Sequence, residues 1–544
     1  MKQEFKVKGK IVDVINQTIK GGTVFVLDGK IQKVEYNDQV EGPYILPGFI
    51  DSHIHIESSM VTPQYFAKEA VKHGTIGTIS DPHEITNVLG DKGLEAMVSD
   101  AARVPFKIFY GVPSCVPATP FETSGAVLDS TRVGELIKKK KFYYLAEMMN
   151  FPGVINNDPD VMKKIQYALE QNKPVDGHVP GLTGEDLDKY INAGITTDHE
   201  CGNYEEAVEK ISKGMKIQIR EGSAARDFDS LYRLIDEYPD HVMLCSDDKH
   251  PDDLIKGHIN KLVQKGIEKG LDLFNLLKAS IVNPVYHYNL PVGLLKEKDP
   301  ADFIVVNDLK RFEILKTYID GEEVFNANES AIQITNSDYP NIMNARKIDS
   351  SDLRIQSNSR PVKVIHAQDR TLYTSYETTT LNTENGLLNS DPDSDVLKIV
   401  VLNRYKPQKP SIGFIKNFGL KNGAIATSVA HDSHNIIAVG VTDEEITQAI
   451  NKIIDIGGGN VVYDGNEFYS LPLEFGGLMT NKPVNEVSKS YEQLNVLTYK
   501  LGCRLDAPFM TLAFMALPVI PELKITDQGL FDVTQFKYTG LFEG

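Results

Sequence analysis

Two histidines one residue apart, His53 and His55, end the apolar run YILPGFIDS. On an extended strand, residues i and i+2 leave the same face, so both imidazoles can reach one divalent cation. Taken alone the pair is weak, because polar groups satisfied at a strand end have the same spacing. Four further side chains with metal-ligand chemistry strengthen it: Glu147, His178, His199 and Asp247 each close a later β-like run. Four imidazoles and two carboxylates brought to one point would suit two divalent ions, and such a pair activates water for hydrolysis.

The elements that must gather these residues can be counted. β-rich runs at 49–55, 75–80, 107–111, 142–148, 174–178, 195–199, 216–220 and 242–246 alternate with segments of helical period such as TPQYFAKEAVKHG, DPDVMKKIQYALEQN and TGEDLDKYINAG. Several of these helical segments open on Thr or Asp caps and close on Gly or Asn. Eight strands alternating with helices over about 240 residues is the rhythm of a (β/α)8 barrel, an α/β fold whose catalytic groups sit at the C-terminal strand ends. The strand ends carry, in order, His53 with His55, Asp81 with His83 and Glu84, Ser114, Glu147, His178, His199 with Glu200, Arg220 with Glu221, and Asp247 with Asp248.

Outside the barrel, residues 1–48 and 290–330 alternate as short strands with Gly and Asn/Asp turns, and together they predict a split small β-sandwich domain flanking a barrel at 49–289. Beyond a polar, turn-rich stretch, 340–544 mixes strands (LKIVVLNRY, NIIAVGV) with helices (TDEEITQAINKII, SYEQLNVLTYKLG), an α+β domain of its own.

Composition narrows the partners. With 57 Lys+Arg against 75 Asp+Glu the formal charge is −18, and only Lys138 to Lys141 concentrates basic residues, so a nucleic-acid footprint is missing and a small-molecule substrate is expected. Four dispersed cysteines, Cys115, Cys201, Cys245 and Cys503, make neither a disulfide framework nor a metal knuckle, and read as packing residues of a cytoplasmic protein. No window reaches the roughly 18 apolar residues of a membrane span. The triplet Gly457 to Gly459 lacks the Lys-Ser/Thr of a phosphate loop.

Other polar clusters have ordinary readings. In SDPHEITNVLG, Asp81 and Glu84 flank a turn into a helix, where an N-cap and a dipole-favoured acid suffice. HDSHN at 431–435 lies between two β-like runs as an exposed turn. Asp247 is preferred to Asp248 as ligand, since neighbours on an extended strand point in opposite directions.

GFIDSHIHIESS, the single histidines of strands five and six, Asp247 and the tail PADFIVVND together resemble the metal-dependent amidohydrolase superfamily. More narrowly, HIHIESSMVTP, SDPHEITNVLG, FYGVPSCVPATPFETSGA, LAEMMNFPGV, DGHVPGLTG, IREGSAARD, LCSDDKHPDDL and VAHDSHNIIAVG are similar to the bacterial-type adenine deaminases over nearly the whole chain. Many superfamily members bridge their metals with a carboxylated lysine on strand four. Here Lys141 begins that strand and Glu147 ends it, so a bridging glutamate is the better physical choice and is what the resemblance implies.

The resemblance also implies that Glu84 exchanges a proton with purine ring nitrogens. It places Asp81, His83, Ser114, His431, Asp432 and His434 on the substrate side, with the 431–435 loop approaching the barrel mouth. The expected reaction is attack of metal-activated hydroxide on C6 of adenine, with Asp247 relaying the hydroxide proton to the departing amine, leaving hypoxanthine and ammonia. His55-Ile56-Glu57 is formally the HxE of the zinc base deaminases, but their PCxxC is absent. The rivals are another amidohydrolase acting on a cyclic amide or amidine, and a non-catalytic barrel serving assembly. The missing strand-four lysine and the HDSHN region oppose the first, and the six intact ligand positions oppose the second. Mn2+ is the expected metal, with Fe2+ or Zn2+ as alternatives, and relatives in the superfamily suggest a homodimer.

Overall fold

The structure, a computed structural model, describes residues 4–543 apart from 224, 328, 358, 359 and 382. The eight anticipated strands form a parallel barrel: β1 Phe49–Ile54, β2 Thr75–Ser80, β3 Lys107–Val112, β4 Phe142–Met148, β5 Val175–Gly177, β6 Thr197–Asp198, β7 Lys216–Arg220 and β8 Val242–Cys245. They hydrogen-bond as a run of five and a run of three. Two seams close the ring. Thr196 N–H donates to Val175 O (2.9 Å) between β5 and β6, and Asp247 N–H donates to His53 O (2.9 Å) between β8 and β1. β5 and β6 are shorter than their apolar runs suggest, because the Gly177 N–H there meets the Thr197 hydroxyl (3.3 Å) in place of a backbone carbonyl. Nearly every barrel-strand residue is buried, as expected for a parallel sheet covered on both faces.

The helices follow their capping signals. Pro159–Glu170 starts where the Asp158 carboxylate accepts from the N–H groups of Asp160 and Val161 and a proline fills the first turn. Its buried Val161, Ile165 and Ala168, spaced by four and three, form the stripe that faces the barrel. After β2, two helices, His83–Leu89 and Asp91–Ala101, are separated by Gly90, whose φ of +57° favours glycine.

The flanks pair through one continuous run of eight strands that curls back on itself, so that Phe5 stacks on Tyr318 (centroids 5.3 Å) across a shared core of Ile11, Val24, Ile45 and Phe303. The reason is the segment Tyr44–Pro47, which runs parallel to Glu4–Asp13 on one side and antiparallel to Phe303–Val306 on the other. The chain leaves this sheet at Pro47 and enters β1 at Phe49, so the sheet anchors the strand that carries His53.

A second eight-stranded sheet spans 362–472. Against it lies Asp443–Asp455, started by a reciprocal Thr442/Glu445 capping box. The HDSHN segment joins two of its adjacent strands, Ala424–Thr427 and Ile436–Gly440. No helix among the described residues is long and apolar enough to cross a membrane. All four cysteines are buried and unpaired, as packing residues should be.

Candidate active site

The barrel's C-terminal ends bring the six ligand candidates together, all of them buried. His53 Nε2 and His55 Nε2 lie 3.2 Å apart. His55 Nδ1 is 3.1 Å from Asp81 O, so that carbonyl takes the ring proton and Nε2 keeps its lone pair facing inward. Asp247 Oδ1 stands 3.3 Å from His55 Nε2 and 3.7 Å from His53 Nε2.

Glu147 faces both halves of the cluster. Its Oε1 is 3.3 Å from His55 Nε2, while Oε2 is 2.8 Å from His178 Nδ1 and 3.2 Å from His199 Nε2. Burial alone would favour the neutral acid, but His178, His199 and His55 hold Glu147 well below the usual carboxylate range. The groups His53–His55–Asp247 and His53–Glu147–His199 each hold their ligand atoms within 4.8 Å of one another. Imidazole and carboxylate donors of this kind fit divalent cations, and Glu147 turns Oε1 to His55 and Oε2 to His178 and His199.

Across the cavity, Glu84 sits in the first turn of His83–Leu89. His431 Nδ1 donates to its Oε1 and His434 Nε2 to its Oε2. Ala430 N–H donates to His434 Nδ1 (3.2 Å), which assigns the neutral His434 proton to Nε2 and makes that ring a hydrogen-bond donor to Glu84. His431 stacks on Phe514 with centroids 4.4 Å apart and 12° between the planes. Burial opposes its charge, yet Glu84 and Asp248 push His431 up to about 9. Burial likewise opposes ionisation of Glu84, and His431, His434 and His83 outweigh it, so Glu84 lies well below its ordinary value. His83 Nδ1 is 3.0 Å from Asp81 Oδ2 and 3.3 Å from Glu147 Oε1, which sets its ring between the two halves of the site.

Between these halves lies a small cavity. Leu372, Phe514, Leu517 and Ile520 roof it, while Glu200 and Arg220 form one wall. A flat, polar-edged heterocycle suits an apolar roof over a floor of ionised groups.

Comparison with known proteins gives the site a family. Residues 44–324 match the amidohydrolase family and residues 371–537 match the adenine deaminase C-terminal domain. Proteins named adenine deaminase match over essentially their whole length: 53% identity with that of Methanosarcina barkeri (99% of each chain) and 47% with that of Salinibacter ruber (100% of each). The chain belongs to the adenine deaminase family. Among solved structures, the β-aspartyl dipeptidase of Fervidobacterium islandicum AW-1 matches with a TM-score of 0.47 at 18% identity, covering 62% of this chain and 100% of that one.

Within this family fold, Glu84, His83, His431 and Asp432 line the cavity. Three other anticipated substrate residues do not. The Ser114 hydroxyl donates to Glu147 O (2.6 Å), so its work is to hold the strand end that carries Glu147. Asp81 spends its carboxylate on the His83 backbone N–H and ring. His434 reaches the cavity only through Glu84.

The HDSHN segment, expected as an exposed turn, is buried throughout. Arg404 fixes it from the C-terminal sheet: its backbone N–H donates to Asn435 Oδ1 (3.1 Å) and its Nη1 donates to His434 O (3.4 Å). Asp248 also lines the cavity, against the strand-alternation argument, because Asp247 has a φ of +54° and the strand has already ended. Sequence reasoning missed Glu200 and Arg220 as site groups, although both stand at strand ends, and it missed the roof, whose residues carry no polar signal.

Proposed function

We propose that this chain hydrolyses adenine to hypoxanthine and ammonia, using His53, His55, Glu147, His178, His199 and Asp247 to hold two divalent metal ions, with Mn2+ the expected occupant. The observation that carries this reading is the pairing of a six-ligand barrel mouth with Glu84 across one small cavity, in a chain of this family along its full length. When bound, the ions would lower the pKa of water so that a hydroxide nucleophile exists near neutral pH.

The chain's own groups handle the protons. Asp247, ionised beside Arg220, accepts the remaining proton of the hydroxide as its oxygen adds to C6. Glu84 is itself ionised, so the proton for a purine ring nitrogen starts on His431 Nδ1 and passes through Glu84, the two acting as one coupled pair. As the C6–N bond breaks, the proton on Asp247 goes to the exocyclic amine, ammonia leaves, and the C6 oxygen becomes the carbonyl of hypoxanthine.

His83, between Asp81 and Glu147, is a hydrogen-bond partner for the purine edge. Asp432 stands beside it, with Oδ2 at 3.7 Å from His83 Nε2. The apolar roof excludes water above the ring. A match to the adenine deaminase C-terminal domain favours deamination over cyclic amide hydrolysis.

The test is ammonia release from adenine, adenosine, guanine and cytosine by apoprotein reloaded with Mn2+, Fe2+ or Zn2+. Ammonia from adenine with hypoxanthine as co-product is the expected result. No release from adenine with any of the three metals overturns the proposal.

A further inference from the structure

The wall opposite Glu84 carries a closed set of charges centred on Arg220, the last residue of β7. Its Nε donates to Asp227 Oδ2 (2.6 Å), Nη1 and Nη2 pair with the two oxygens of Glu200 (Nη2 to Oε2 2.8 Å), and Nη1 also donates to Asp247 Oδ2 (2.9 Å). One buried guanidinium therefore meets three carboxylates. Only the second oxygen of Asp247, Oδ1, turns toward His53 and His55. Glu200 stands close to the ligand set too, with Oε1 at 3.7 Å from both His178 Nδ1 and His199 Nε2, yet both its oxygens are engaged by the arginine.

We propose that Arg220 is a positioning residue for the metal centre: it fixes the Asp247 carboxylate with a single oxygen facing the ligand histidines, and it withholds Glu200 from the ligand set. This rests on reading His53 to Asp247 as metal ligands. The physical reason is geometric. An unrestrained carboxylate can offer either oxygen or both to a cation, whereas the planar guanidinium presents donors in a fixed fork and pins one oxygen of each acid. A lysine would supply the charge at a point, without the fork. Removing the cation altogether would leave Asp247, Glu200 and the half-buried Asp227 uncompensated, and Glu200 would be free to join the metals.

The experiment uses the full-length protein, stripped of metal and titrated with Mn2+, with the free ion read from its solution electron paramagnetic resonance signal. The kcat and KM for adenine are measured in parallel. The expected result for Arg220→Lys is a folded protein whose Mn2+ affinity falls by about 10- to 100-fold, the usual effect of losing an outer-shell partner. Its kcat should fall at least about 10-fold while KM stays within about threefold, since the loss is in positioning the proton acceptor and not in binding the base. Glu200→Gln is expected to bind the same number of Mn2+ ions as the parent, because Glu200 is not a ligand. Arg220→Met should lose more activity than Arg220→Lys and recover part of it with added ethylguanidinium. If Arg220→Met does not fold, the lysine and glutamine variants carry the test.

Parent-like affinity and kcat in Arg220→Lys would overturn the positioning role, and loss of one Mn2+ in Glu200→Gln would overturn the withholding role. A parent that binds two Mn2+ but releases no ammonia from adenine would sink the functional reading alone and leave this inference to the titration.

Discussion

Asp247 and Glu84 are two buried carboxylates on opposite sides of one cavity, both held below their ordinary pKa, and they are held by partly different means. Asp247 is held first by His55 and then by Arg220, 27 residues away in the same barrel. Glu84 is gripped by two histidines 347 and 350 residues away, on a loop of the C-terminal sheet. Arginine does not titrate in the working range, so Asp247 stays an anion fit to ligate and to accept a proton. Histidine does titrate, so the grip on Glu84 can store and release one. Both carboxylates are held by imidazoles, but only Asp247 also has a permanent cation, Arg220, and that difference separates their roles.

The largest expected effect comes from removing the residue common to both halves. Glu147→Ala should lose metal binding on both sides and lower kcat/KM by at least about 10⁴-fold, measured by elemental analysis together with ammonia release. Retention of two ions would break the picture of a shared bridge. Glu84→Gln comes next: about 10²- to 10⁴-fold in kcat with metal content unchanged, because only proton transfer is lost. His434→Ala should cost less, about 10- to 100-fold in kcat, since His431 still holds one oxygen of Glu84.

A pH measurement separates the two clamps. His431 is raised from 6.5 to about 9, so its contribution to stability is fully present below about 6.5 and is lost as pH rises through about 9. The Glu84 shift is downward, so its contribution is complete above about 4.5 and adds no slope in that window. The thermal midpoint of the parent should therefore fall between pH 7 and 9.5 more steeply than that of His431→Gln. Equal slopes would mean that His431 is not the titrating partner. Smallest of all, Ser114→Ala should cost about 1 kcal/mol of stability and only a few-fold in metal affinity, because one hydrogen bond to Glu147 O is lost.

The barrel was legible in the sequence because its strands are apolar runs separated by capped helices, and each local signal agrees with the global fold. The clustering of the six ligand candidates was legible for a related reason: each stands at a strand end, and barrel topology alone carries strand ends to one place. The grip on Glu84 was not, since nothing local links HEIT at 83–86 to HDSHN at 431–435, and a polar turn between strands ordinarily faces water. Glu200 and Arg220 stand at strand ends in the sequence, but nothing local pairs them, and only the closed barrel turns them toward each other. Asp248 was misread because alternation holds only while the strand continues, and the positive φ of Asp247 ends it.

The roof of Leu372, Phe514, Leu517 and Ile520 has a consequence for timing. During synthesis the barrel and all six ligand positions emerge first, long before the loop that holds Glu84 and the residues that shut out solvent. A nascent chain could fold its barrel and gather metal while still unable to protonate a purine or to keep water off it. The reaction chamber is thus completed last, when the final segment docks over ligand positions made about 200 residues earlier.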